Sequence, residues 1–213
     1  MTREEILAVA KQILFNTDMV HAILDDRKTE TRRKVEFHND RDGLMLYNRT
    51  TCIKTPRYKV GDYLYVRETW TRLFYSDENG YTHYDQPMYY YAADGVPDIT
   101  LVDADGFEED DQRIRWRPSI HMPKEAARIF LRVTDIRVER LQDITEDGAT
   151  KEGCINNIGF VHSPDNEYDG IHTAREQFIT VWNSTIPKKG LAKYGWDANP
   201  WVWVIEFERV EGQ

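Results

Sequence analysis

The chain has 213 residues, 40% of them hydrophobic and 31% charged, with six Trp, twelve Tyr and eight Phe. That is enough apolar and aromatic mass for the core of one domain over 1–213, and it excludes intrinsic disorder for most of the chain. A formal net charge of −9 argues on average against a polyanionic partner, which needs neutralising Lys and Arg.

From the N-terminus, Thr2 followed by Glu5 has capping-box spacing, and Ile6, Leu7, Ala10 and Ile13 recur at helical intervals. This predicts an amphipathic helix over 3–12. A strand-like Ile13, Leu14, Phe15 follows, and then Thr17 or Asp18 caps a helix that runs to about Asp25. A Gly-Asp turn at 61–62 leads into an alternating strand with Leu64, Val66, Glu68 and Trp70 on one face and Tyr63, Tyr65 and Arg67 on the other. The segment 73–112 reads as an excursion from the core, a hairpin at 81–93 followed by an acidic loop. A strand over 129–140 changes phase between Val133 and Ile136, as a bulge would require. Thr145, Glu146 and Asp147 open a helix that should stop at Gly153. A longer helix is expected over 171–184, and Trp201 to Glu208 alternate as a final strand. Strands and helices without regular βαβ alternation favour an α+β fold.

The charge is unevenly spread. Residues 73–112 hold eleven acids and no Lys or Arg, so the remainder carries 28 bases against 26 acids. Five of those bases (Arg27, Lys28, Arg32, Arg33, Lys34) fall within eight residues, and Arg113, Arg115 and Arg117 within five. Such clusters form solvated faces, or positive grooves when rings such as Trp70, Trp116 and the tyrosines 89–91 lie beside them and stack bases. The longest hydrophobic run, residues 88–93, is six long, against roughly 18 for a membrane span. The acids at positions 4 and 5 are wrong for the positive region of a secretory signal. A cytoplasmic protein is expected. Cys52 and Cys154 form no CxxC, so they are expected to be reduced and inert, and the scattered histidines point to no metal site.

No phosphate-binding glycine loop, HExxH or GxSxG is present, so a nucleotide cofactor, phosphoryl transfer and zinc proteolysis have no support, and no cofactor is expected. What remains is the run Arg27-Lys-Thr-Glu-Thr-Arg-Arg33 after a helix, the carboxylate Glu68 on an inward strand parity, and Glu152. A buried Glu68 must be paired, with Arg32 or Arg33 as the candidate partners, or functional.

Lys28, Thr31 and Arg33 stand in the register of the Gly-x-Lys signature of ASCH domains, members of the PUA-like superfamily of small β-barrels linked with RNA and modified nucleosides. Asp26 stands where the family has Gly. The later Val-Gly-Asp-Tyr-Leu-Tyr-Val strand, the 141–152 helix and the terminal Trp-Val-Ile-Glu-Phe strand fall in family order, so the resemblance covers nearly the whole chain. It is closest to the longer members found in phages and prophages. The resemblance implies a PUA-like β-barrel with flanking helices, into which the segment at about 73–112 is an acidic insertion, and a partner that is RNA or a modified nucleoside. One branch hydrolyses the acetyl amide of acetylcytidine with a Lys, a Thr and a distant Glu, which fall here on Lys28, Thr31 and Glu152. In that amidohydrolase reading Thr31 is the nucleophile and Lys28 the base, with Arg27, Arg32, Arg33, Glu68, Trp70 and Trp116 as substrate contacts. The alternatives are an RNA-binding module without catalysis, in which Lys28 is a charged phosphate contact, and a phage structural or protein-partner role.

Overall fold

The computed structural model describes residues 1–35, 46–47, 51–52, 56–76, 82–97, 114–163 and 166–211. In chain order the elements are α1 (Arg3–Val9), β1 (Lys11–Leu14), α2 (Thr17–Leu24), β2 (Glu30–Lys34), β3 (Leu46–Tyr47), β4 (Thr51–Cys52), β5 (Tyr63–Arg67), β6 (Trp70–Ser76) and β7 (Thr82–Tyr91). They continue with β8 (Phe130–Arg140), α3 (Glu146–Lys151), β9 (Asn157–Ser163), β10 (Asn166–His172), α4 (Ala174–Thr185), α5 (Leu191–Tyr194) and β11 (Trp201–Val210). The fold is mixed α+β, and among the described residues the strand ladders do not close into a barrel. The acidic run 98–111 and Arg113 lie outside the described residues.

The chain divides into two compact units, one from Met1–His21, Leu64–Phe130 and Glu211–Gln213, the other from Ala22–Tyr63 and Leu131–Val210. In the first, α1 carries the expected capping box: the Thr2 hydroxyl accepts from the Glu5 N–H, and the Glu5 carboxylate accepts from the Thr2 N–H. The helix ends at Val9, three residues earlier than the periodicity suggests, because Lys11 already pairs with Leu64 as β1 runs parallel to β5. The cap of α2 is Asn16, whose side-chain oxygen accepts from the Met19 N–H at 2.9 Å. Thr17 and Asp18, the expected caps, fall inside the first turn. Three good capping residues in a row leave the choice to tertiary context. The alternation from Leu64 to Trp70 holds in burial, but the strand breaks at Glu68 and Thr69 and resumes as β6, which pairs antiparallel with β7.

The second unit is organised around the strand order β8-β11-β2, with β11 antiparallel to β2 from Val202 opposite Lys34 to Glu206 opposite Glu30. The phase change expected in β8 appears as two consecutive exposed residues, Thr134 and Asp135. Leu141, Ile144, Ala149, Cys154, Ala174, Phe178, Trp182, Val202 and Val204 form one apolar core under α3 and α4. The expected 141–152 helix is two pieces, a 3₁₀ turn at Leu141–Asp143 and then α3, because Thr145 caps the second piece by accepting from the Gly148 N–H. The long helix likewise starts at Ala174 behind the Thr173 capping box, and Ile171 belongs to β10.

Two helix ends in this unit use the same device. After α2, the Arg27 N–H bonds the Ala22 carbonyl at 2.8 Å and the Asp26 N–H bonds Ile23 at 3.1 Å. After α3, the Cys154 N–H bonds Ala149 at 3.1 Å and the Gly153 N–H bonds Thr150 at 2.8 Å. Both are Schellman motifs, which require a left-handed residue at the turn. Gly153 meets that demand at φ +94° and Asp26 at φ +56°. The two caps abut, since a Cβ on Gly153 would lie 2.6 Å from Ala22 Cβ and 3.2 Å from Lys28 Cβ.

Two opposite substitutions test this arrangement. Asp26→Gly should stabilise the chain by about 1 kcal/mol through relief of left-handed strain. Gly153→Ala should cost about 1–3 kcal/mol in backbone strain, before the clash with Ala22 is added. Urea midpoints of the two variants should therefore move in opposite directions.

Candidate functional site

The abutting caps deliver Lys28 and Glu152 to one place. Residues 28 and 152 form an isolated antiparallel bridge, and the Thr29 N–H bonds the Lys151 carbonyl at 2.8 Å. The Lys28 ammonium donates to Glu152 Oε2 at 2.6 Å, to the Glu152 carbonyl at 2.7 Å and to the Glu30 carbonyl at 3.0 Å. Both residues are buried, Lys28 at 2% exposure and Glu152 at 7%.

The reason for this pair lies in the sheet. Among the described residues β2 is the last strand in its order, so one side of its backbone has no strand partner. On that side Lys28 satisfies the Glu30 carbonyl, while Glu152 Oε1 accepts the Arg32 backbone N–H at 2.5 Å. One ion pair thus closes an acceptor and a donor that burial would otherwise leave orphaned.

A second layer of charge holds the first. Arg32 Nη1 donates to Glu30 Oε1 at 2.6 Å and reaches Glu152 Oε1 at 3.3 Å, and its guanidinium lies 5.8 Å from the Phe178 ring centre. Arg137 donates to the other Glu30 oxygen at 3.2 Å and also binds Glu139 and Glu206. Gly148 makes room for this layer, because a Cβ there would stand 3.2 Å from Arg32 Nη2 and 3.3 Å from Glu30 Oε1.

Burial pushes the Lys28 pKa below its ordinary 10.5, and the Glu152 carboxylate pulls it back up. The three acceptors around Nζ match the three protons of an ammonium, whereas a neutral amine has only two to donate. Burial also pushes the Cys154 thiol up to about 11, in keeping with an inert cysteine.

Of the other residues singled out from sequence, Thr31 is 2% exposed and pairs with Ile205 across the ladder. By strand alternation it faces away from Glu30 and Arg32, on the side shared with half-buried Arg33. Desolvation lowers the Arg33 pKa, with Tyr58 and Glu152 pulling the other way. Arg27 bonds the Gly153 carbonyl at 2.8 Å and Asp25 at 2.9 Å, so it braces the α3 cap. Arg32 is engaged with carboxylates inside the unit and positions Glu152.

The first unit holds Glu68, Trp70 and Trp116. Glu68 is 1% exposed and paired, but with Arg128, not with Arg32 or Arg33: Nε to Oε1 at 2.9 Å and Nη2 to Oε2 at 3.0 Å. Burial raises the Glu68 pKa against the pull of Arg128. Nothing in the sequence separates Arg128 from the other arginines, so this partner was not legible. Asp94 takes the third edge of the Arg128 guanidinium at 2.7 and 2.8 Å, and that guanidinium lies 4.0 Å from the Tyr91 ring centre. Trp70 is 3% exposed and sits in the core, while Trp116 is half-buried.

Among the described residues no group of three or more His, Cys, Asp or Glu is placed to hold a metal ion, and no helix is long and apolar enough to cross a membrane. In comparison with known proteins, the chain matches no family model, no curated protein and no solved structure.

The ion pair makes a direct prediction. Glu152→Gln keeps the shape but leaves a buried ammonium without its countercharge, which should cost about 3–5 kcal/mol. The Lys28 pKa in the folded variant then falls further below the 10.5 of the unfolded chain. Between those two values the unfolded chain binds more protons, so stability must rise with pH. Urea midpoints should increase from about pH 7 to about pH 9 more steeply in the variant than in the wild type.

Proposed function

We propose that the second unit recognises a modified nucleoside on the Thr31 and Arg33 face of β2, as an ASCH domain on a PUA-like frame would. The observation that carries this reading is the buried contact between Lys28 and Glu152, two residues 124 positions apart that the ASCH resemblance assigns to one site. Asp26 supports it further. The family has Gly at that position, and here Asp26 adopts the left-handed conformation that glycine takes freely.

Recognition is favoured over hydrolysis on two grounds. All three ammonium protons of Lys28 have acceptors, and strand alternation puts Thr31 on the face of β2 opposite the Arg32 side chain that reaches Glu152. The lowered Lys28 pKa favours the second reading, amide hydrolysis. In that reaction Lys28 first passes a proton to Glu152 along their hydrogen bond and becomes a neutral amine. The amine takes the Thr31 hydroxyl proton as Thr31 Oγ attacks the acetyl carbonyl, with Arg33 beside the oxyanion. The C–N bond then breaks, the exocyclic amine of cytosine leaves with the proton from Lys28, and water hydrolyses the acetyl-threonine ester to acetate.

Calorimetry with acetylcytidine tests the proposal. The nucleoside carries no phosphate, so binding should be detectable and insensitive to salt, and Arg33→Ala should weaken it about tenfold. Failure to bind any acylated nucleoside overturns the reading. Acetate release that disappears in both Lys28→Met and Thr31→Val would establish hydrolysis, and bound but unchanged nucleoside would establish recognition alone.

A further inference from the structure

Alternation along β2 and β11 gives their ladder two faces. Arg32, Val202 and Val204 look toward α3 and α4, as the Arg32 contact with Phe178 and the place of both valines in the apolar core require. Thr31, Arg33, Trp203 and Ile205 share the opposite face, with Thr31 directly across from Ile205 and Arg33 directly across from Trp203. Val35 and Ile205, also of this parity, are buried and give the face an apolar floor.

Two side chains on this floor have no bonding partner among the described residues. Thr31 is buried, yet its hydroxyl neither donates nor accepts a hydrogen bond. The polar atoms that are both unpaired and shut off from solvent are Arg32 Nε, Arg67 Nε and Trp70 Nε1, so the small surface that Thr31 keeps includes its oxygen. An accessible hydroxyl set among buried apolar groups is where a ligand gains a directed bond inside an otherwise apolar contact. The second side chain is Trp203. Of the four tryptophans in the second unit, Trp182 packs on Phe178 and donates to the Tyr194 carbonyl at 2.8 Å. Trp196 lies against Phe178 and Arg175, and Trp201 holds the Arg140 guanidinium 4.3 Å from its ring centre. Trp203 is half-buried, and its indole has no ring, cation or hydrogen-bond partner among the described residues.

We propose that Trp203 is the base-binding residue of the nucleoside site, its indole stacking on the pyrimidine while the Thr31 hydroxyl hydrogen-bonds an edge of the same base. The inference rests on the nucleoside reading of this face and adds to it a residue from β11, outside the Lys28 to Arg33 signature. Thr31 and Trp203 are diagonal neighbours across the ladder, about 7–8 Å apart at the backbone and within reach of a large ring. One planar base fits that arrangement, with its face on the indole and its rim at the hydroxyl. Stacking tolerates any base, whereas a hydroxyl bonds only a donor or acceptor placed to meet it. Affinity then falls mainly to Trp203 and selectivity to Thr31. A small anion would gain nothing from the indole.

Calorimetry and tryptophan emission with acetylcytidine, read on the same samples, test the assignment. Acetylcytidine should quench part of the wild-type emission. Trp203→Phe should keep most of the affinity, because a phenyl ring still stacks, and should lose that quenching. Trp203→Leu should weaken binding about tenfold, for acetylcytidine and cytidine alike. Thr31→Val should instead narrow the preference between those two nucleosides. Unchanged affinity in Trp203→Leu, or quenching that survives in Trp203→Phe, overturns the role of Trp203 while leaving the nucleoside reading intact. A preference that Thr31→Val does not alter overturns the role of Thr31. Trp203→Phe decides the matter by its emission alone if the leucine variant does not fold. A wild type that binds no acylated nucleoside overturns both the nucleoside reading and this assignment.

Discussion

The open side of β2 sets the main constraint on the second unit. The Glu30 carbonyl and the Arg32 N–H face away from β11, in a region too buried for water to serve them, and the Lys28–Glu152 pair supplies the missing donor and acceptor. Several features of the surrounding sequence follow from placing that pair. Lys28 must leave α2 at once, hence the left-handed cap at Asp26. Glu152 must come from a helix that stops abruptly, hence Gly153. The two turns must touch, hence the absence of a side chain at Gly153 where Ala22 approaches it.

An ion pair this deep is costly to bury, and replacing such pairs with apolar residues is often neutral or favourable for stability. Its retention here is therefore weak evidence for stability and better evidence for specification. A Leu–Leu contact would leave two backbone groups unsatisfied and would fix neither the register of β2 against the α3 cap nor the direction of Arg32. The outer layer of Arg32, Glu30 and Arg137 extends the same logic toward solvent, each charge holding the next in a single arrangement.

Local chemistry made much of this legible. Thr2 with Glu5, Thr145 before Gly148 and Gly153 after α3 were readable because capping depends on residues within four positions of one another. The alternation of Leu64, Val66, Glu68 and Trp70 was readable as a buried face for a similar reason. What the sequence did not carry were choices between equivalent partners. Asn16, Thr17 and Asp18 cap equally well in isolation, and Glu68 had several arginines from which to choose. Glu68 took Arg128, which charge counting cannot single out. The convergence of Lys28 with Glu152 was reached through the ASCH resemblance, since periodicity says nothing about residues 124 apart. Thr31 shares its face of β2 with Arg33 and stands opposite the Glu30 and Arg32 side chains, a placement that strand alternation makes readable from sequence.

The arginines illustrate how the same residue type is assigned different work by its surroundings. Arg32 and Arg128 are bound on several edges by carboxylates, so their charge is cancelled where it stands and serves to fix geometry. Arg72 and Arg117 rest on rings that orient the guanidinium without neutralising it.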